Sequence, residues 1–107
     1  MPPAADFEPD PDRRVVPVCD ALGLLCPLPV LRARKRLLAL APGMVLEVLA
    51  DDPMARIDLP HFCAEAGHHL LEARPAPEAA GAHAPADPAR PAWRYLIRRG
   101  ADRPEPG

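Results

Sequence analysis

The chain has 107 residues, a formal net charge of −2 and three cysteines. That length holds one small domain, and the charge balance supplies no overall basic field that would point to nucleic acid. Seventeen prolines, far above the usual share of about one residue in twenty, are unevenly placed and mark off folded segments from connecting ones.

Residues 1–14 are acidic and proline-rich and read as a disordered tail, without the apolar h-region of a signal peptide. A β-prone run covers 15–22, with Pro17 suggesting an edge strand or a late start. Gly23 supplies a turn. From 15 to 31 the only charge is Asp20, yet Pro17, Gly23, Pro27 and Pro29 break the run, so it does not read as a membrane-spanning helix. An odd number of cysteines without an export signal argues for free thiols in a reducing, cytoplasmic setting.

Helical spacing covers 27–41 and is predicted to end at Pro42-Gly43. Pro is favoured at the first helical position, which makes Pro27 that residue and Cys26 the N-cap. Pro29 falls third, and the amide of Leu28 is the expected donor to the Cys26 sulfur. The positive end of the helix dipole would then favour the thiolate. On a helical wheel Val30, Leu31, Ala33, Leu37, Leu38, Leu40 and Ala41 share one broad side. Arg32, Lys35 and Arg36 share the other, and Arg34 sits at the edge of the apolar arc.

A second strand covers 44–50. Strand, helix, strand predicts a parallel pair with a right-handed crossover, which brings the Cys26 loop and Asp51-Asp52-Pro53 to one edge of the sheet. Asp52 is expected to cap a second helix with Pro53 first, broken or restarted near Asp58 because Pro60 suits no helix interior, and ending at Gly67. Phe62 and Cys63 face inward. A short third strand covers 68–74, and 75–91, rich in Pro and Ala, reads as a disordered loop. Residues 93–99 alternate strictly, with Trp93, Tyr95 and Ile97 on one face and Arg94 and Arg98 on the other. Residues 100–107 form a second tail.

The predicted fold is α/β: a two-layer sandwich of order βαβαββ, a four-stranded mixed sheet with two helices on one face, in a single domain over 15–99. Its core is near the lower size for independent stability, so an interaction partner matters.

The stretch Asp20-Ala-Leu-Gly-Leu-Leu-Cys-Pro-Leu-Pro-Val resembles the Cys-Pro-x-Pro signature of the TusA/SirA-like sulfur-carrier family. Arg34-Lys35, Pro42-Gly43, Asp51-Asp52-Pro53, Asp58-Leu-Pro-x-Phe-Cys63, Gly67-His68 and Tyr95-Leu-Ile-Arg-Arg-Gly100 follow in the family's order. The resemblance implies a sulfurtransferase whose working thiol is Cys26. It would accept sulfane sulfur as a persulfide, from a cysteine desulfurase or another donor such as a rhodanese-like protein. It would pass that sulfur to an acceptor relay protein, towards tRNA thiolation, sulfur oxidation or cofactor sulfuration. No metal or organic cofactor is called for. The long 75–91 insertion, the extended N-terminal tail and Cys19 depart from the family pattern.

Other readings of the same residues stay in view. Cys26 could be a structural cysteine, and the whole domain a non-catalytic regulatory or scaffold module that binds a protein partner. A thioredoxin-like role would want a second cysteine at position 29, which is Pro. Cys63 reads as core, and Cys19 could face either way. His61, Cys63, His68 and His69 match no zinc-site spacing. Asp51 and Asp52 could form an acid/base pair, though capping is the simpler account. Arg32, Lys35 and Arg36 are candidates for partner docking near the thiol, because a carrier must present it to two proteins. No aromatic residues interleave with them, which argues against direct nucleic-acid binding.

Overall fold

A computed structural model describes residues 16–81 and 87–101. Strand β1 (Val18–Ala21) leads through the Cys26 loop into α1 (Leu28–Leu38), and β2 (Val45–Ala50) leads into α2 (Ala55–Ala66). Strands β3 (His69–Pro75) and β4 (Trp93–Arg98) complete the chain. The sheet order is β1-β2-β4-β3. β1 runs parallel to β2, whereas β4 is antiparallel to both β2 and β3. The expected mixed, two-layer α/β sandwich is the fold observed.

β1 is an edge strand, where the missing N–H of Pro17 breaks no ladder. The Pro17 carbonyl still accepts from Glu47 N–H at 2.9 Å. Alternation along the strands sends Cys19, Ala21, Leu46, Val48, Ala50, Tyr95 and Ile97 into one core with Ala33 and Leu37 of α1 and Ala55, Leu59 and Cys63 of α2. On the opposite face Arg94 bridges Glu47 at 3.1 Å and Glu78 at 2.8 Å.

α1 is shorter and its buried stripe narrower than expected. It ends at Leu38 with Ala39 as C-cap, and its buried residues are Pro29, Ala33 and Leu37. Val30 and Leu40 pack against that stripe, but Leu31 and Leu38 are exposed. The reason is geometric: a helix lying on a single sheet layer has one line of contact, and neighbours a further 100° or so round the wheel reach solvent.

α2 is continuous through Pro60, so the expected break near Asp58 is absent. Pro60 removes the donor to the Arg56 carbonyl. The buried Ala55, Leu59 and Cys63 stripe spans the proline on both sides and holds the helix in place. Helix and following strand are joined at Gly67, and Gly100, just after β4, returns to this corner. A Cβ on Gly100 would meet the Gly67 carbonyl oxygen at 1.8 Å, so only glycine fits there. Gly100 N–H also donates to His68 Nδ1 at 3.0 Å, which places the first residue of the expected 100–107 tail inside the fold.

The 75–91 stretch, expected without structure, is held at both ends. Ala76 is buried and its N–H donates to the Ala92 carbonyl at 2.9 Å, extending the β3–β4 hairpin. A single 3-10 turn, Pro77–Ala79, follows. Composition alone misjudged it because these prolines and alanines sit where a paired strand continues and a charged residue finds a partner. Residues 82–86 of that loop, the tail 1–14 with Val15, and 102–107 lie outside the described residues.

Candidate functional site around Cys26

β1 and β2 end side by side, Ala21 opposite Ala50, so their following loops share one edge of the sheet. The chain turns at Gly23, whose φ of +82° is ready for glycine and costly for other residues. Cys26 follows on an exposed rim. Its N–H donates to Asp52 Oδ2, while Asp52 Oδ1 accepts from Met54 N–H at 2.9 Å. Asp52 is thus buried with both oxygens occupied by backbone, and those bonds hold its carboxyl below the usual range, the Met54 bond most of all. Asp51 Oδ1 accepts from Gly23 N–H at 3.1 Å. The acidic turn therefore fixes the thiol-bearing loop through its amides, which leaves no acid/base pair free.

Helix capping differs from expectation. Pro27 occupies the N-cap and Leu28 begins the helix, with Pro29 buried behind it. Leu28 N–H donates to the Leu25 carbonyl at 2.8 Å, not to the Cys26 sulfur. One residue of difference in register moves the thiol off the helix axis and turns it toward α2. There Cys26 Sγ–H donates to Asp58 Oδ2 at 2.9 Å. The consequence for acidity is opposite to the dipole argument. The bond to Asp58 is the largest cause raising the Cys26 thiol above its ordinary value, with desolvation and the charges of Asp58 and Asp52 adding to it.

Sequence reasoning missed two residues of this site. Asp58 lies in the Asp-Leu-Pro-x-Phe-Cys run, but it is 32 positions from Cys26 and only the crossover brings them together. Arg90 comes from the insertion. Its Nη2 donates to Asp51 Oδ1 at 2.6 Å and to the Leu24 carbonyl at 3.3 Å, and its Nε reaches the Asp51 carbonyl at 3.4 Å. Arg90 is the solitary cation between Arg74 and Arg94, and that isolation inside a proline-rich loop was the one signal available.

The basic residues divide. Arg32, Lys35 and Arg36 are all exposed, but Lys35 and Arg36 stand in the last turn of α1, away from the Cys26 end. Arg32 alone is near the loop, its Nη1 donating to the Asp20 carbonyl at 3.0 Å. Cys19 and Cys63 are buried; desolvation raises both, Cys63 to about 11. His61 pairs with Glu65 at 3.4 Å on the surface of α2, and among the described residues no group of acidic, His and Cys side chains is arranged to hold a metal ion.

The family model described as sulfurtransferase TusA matches residues 18–80. The chain belongs to the TusA family. A sulfur carrier protein TusA of Pseudomonas paraeruginosa is 40% identical over 85 residues, covering 79% of this chain and 91% of that protein. The one from Pseudomonas putida strain GB-1 is 45% identical over 67 residues, covering 63% and 76%. The crystal structure of a SirA-like protein from Desulfitobacterium hafniense superposes with a TM-score of 0.54 at 28% identity, covering 78% of this chain and 96% of that one. The TusA match runs through β1 to the 3-10 turn, so it contains Cys26, Asp51, Asp52 and Asp58 but stops short of Arg90. Among the described residues no helix is long and apolar enough to cross a membrane.

Proposed function

We propose that this TusA-family chain is a sulfurtransferase of the carrier type, loaded as a persulfide on Cys26. The observation that carries the reading is exposure: of the chain's three cysteines, Cys26 alone is open to a partner. Loading is an exchange at sulfur. Cys26 sulfur bonds to the outer sulfur of a donor persulfide, the donor's S–S bond breaks, and the donor cysteine leaves with the electron pair and takes the proton. Delivery repeats the step, with Cys26 as the leaving sulfur and an acceptor protein as nucleophile.

Both steps need a protein to close over an exposed atom, and the surroundings suit that. Leu25 and Leu28 flank the thiol in sequence, Met54 and Ile57 flank the α2 end beside it, and all four are exposed. A cysteine desulfurase or rhodanese-like protein fits the donor role, and a sulfur-relay protein the acceptor role. Of the three docking candidates on α1, Arg32 reaches the end of β1 before the thiol loop; Lys35 and Arg36 would extend that contact along α1. A soluble, cytoplasmic setting agrees with free thiols.

The raised pKa of Cys26, caused first by its hydrogen bond to Asp58, is the one feature that favours a scaffold module with an unreactive thiol. Intact mass after incubation with a persulfide donor decides between them. Wild type is expected to gain one sulfur that dithiothreitol removes, and Cys26→Ser to gain none. No adduct on wild type, or an adduct surviving in Cys26→Ser, overturns the carrier reading.

A further inference from the structure

The carrier role of Cys26 leaves one neighbour without a task. Asp58 stands in the first turn of α2, half-buried, with Oδ2 at 2.9 Å from Cys26 Sγ. Its task follows from what else faces the thiol. Among the described residues the charges acting on Cys26 are Asp58 from α2 and Asp52 from the turn before it, both negative. The nearby cations are engaged elsewhere, Arg90 on Asp51 and Leu24, and Arg32 on the Asp20 carbonyl. The Asp52 carboxylate is taken up by the amides of Cys26 and Met54, which leaves Asp58 as the acceptor for the thiol hydrogen.

We propose that Asp58 is a positioning residue that keeps the empty carrier as a neutral thiol, and that its bond to Cys26 is lost when the carrier is loaded. The inference rests on the carrier reading of Cys26. In the empty state Sγ–H donates to the carboxylate; removing that proton would leave two anions in contact, so the thiolate is disfavoured until a donor protein arrives. Loading then runs as R–S–SH + Cys26–SH → R–SH + Cys26–S–SH, with no oxidant or reductant. The inner sulfur of the product carries no hydrogen and has nothing to donate to Asp58. The Asp58 charge also repels a terminal persulfide anion, turning it outward toward an acceptor. One carboxylate thus quiets the empty thiol and distinguishes the loaded state from it.

The test is the pH dependence of iodoacetamide alkylation on the full chain, read at the Cys26 peptide by mass spectrometry. Asp58→Asn keeps the side-chain size and removes the charge. It should lower the midpoint by about one pH unit, so that Cys26 is alkylated about tenfold faster near neutrality. Asp58→Ala should shift the midpoint in the same direction, and Asp58→Glu should return it toward wild type. Glu65→Gln, a carboxylate on the same helix paired with His61, should leave it unchanged. Buried Cys19 and Cys63 stay unmodified while the fold holds, and so report folding in the same spectrum. An unchanged or raised midpoint in folded Asp58→Asn and Asp58→Ala overturns the proposal. Alkylation needs no sulfur donor, so that failure would leave the carrier role of Cys26 standing. Failure of wild type to accept sulfur would sink the carrier reading independently of the pH profile.

Discussion

Asp52 places both carboxylate oxygens on backbone amides, those of Cys26 and Met54, and so ties the thiol loop to the start of α2. Those bonds depress its pKa in the folded chain relative to the unfolded one. A depressed carboxyl contributes stability that is complete above the unfolded pKa, about 3.9, and is lost as pH falls through the lower folded value. Asp52→Asn should therefore be less stable than wild type at neutral pH. The gap should close on acidification from about pH 5 to about pH 2. Urea midpoints across that range check it, and parallel curves would refute it. Tyr95 is the opposite case. Its hydroxyl is buried with no hydrogen-bond partner among the described residues, so it contributes desolvation cost without a compensating bond. Tyr95→Phe is expected to leave stability unchanged or raise it by up to about 1 kcal/mol in the same urea titration.

At the scale of elements, the sequence displays most clearly what depends on period and least clearly what depends on meeting. Strict alternation located β4 to within a residue of its end, because a two-residue period has a single solution on a half-buried sheet, and the near-continuous apolar run 44–50 located β2 within a residue of its start. The Cys26 turn was legible through local backbone preference, in its prolines and Gly23. Its chemistry was not. The expected low thiol pKa followed from a helix start placed at Pro27. The start at Leu28 hands the sulfur instead to Asp58 on another element. Pro60 shows local preference overruled by packing, since the stripe of Ala55, Leu59 and Cys63 holds α2 together across it. Pro60→Ala restores a donor for the Arg56 carbonyl and should stabilise the domain by about 1–2 kcal/mol in thermal unfolding, with no change in Cys26 alkylation. Arg90 acts between elements. Its guanidinium, mostly buried, joins the 75–91 insertion to Asp51 and Leu24. Arg90→Ala should cost about 1 kcal/mol and speed amide exchange at Gly23, whose N–H depends on a correctly placed Asp51. Exchange confined to the insertion itself would show that Arg90 does not brace the thiol loop.

Two layers set the limits of the whole molecule. Both helices lie on one face of the sheet, so each buries a single line of side chains and the rest of its apolar surface stays wet. The helical wheel could not see this, because it places Leu37 and Leu38 on the same broad side and has no knowledge of how many layers will cover it. In the structure Leu37 is 0% exposed and Leu38 55%. Leu37 fills the space between α1 and the strands, where truncation loses both transfer free energy and close contacts. Leu37→Ala should cost about 2–5 kcal/mol, a large part of the stability of a domain this size, and Leu38→Ala under about 0.5 kcal/mol. A pair of urea titrations separates the two, and equal losses would mean that a further layer, such as a partner, covers α1 in solution. The contrast matters for the thiol as well. Cys26 stands on a rim braced by Asp51, Asp52 and Arg90 rather than by the core, so Leu37→Ala should lower the unfolding midpoint while leaving the pH midpoint of Cys26 alkylation in the folded chain where it was.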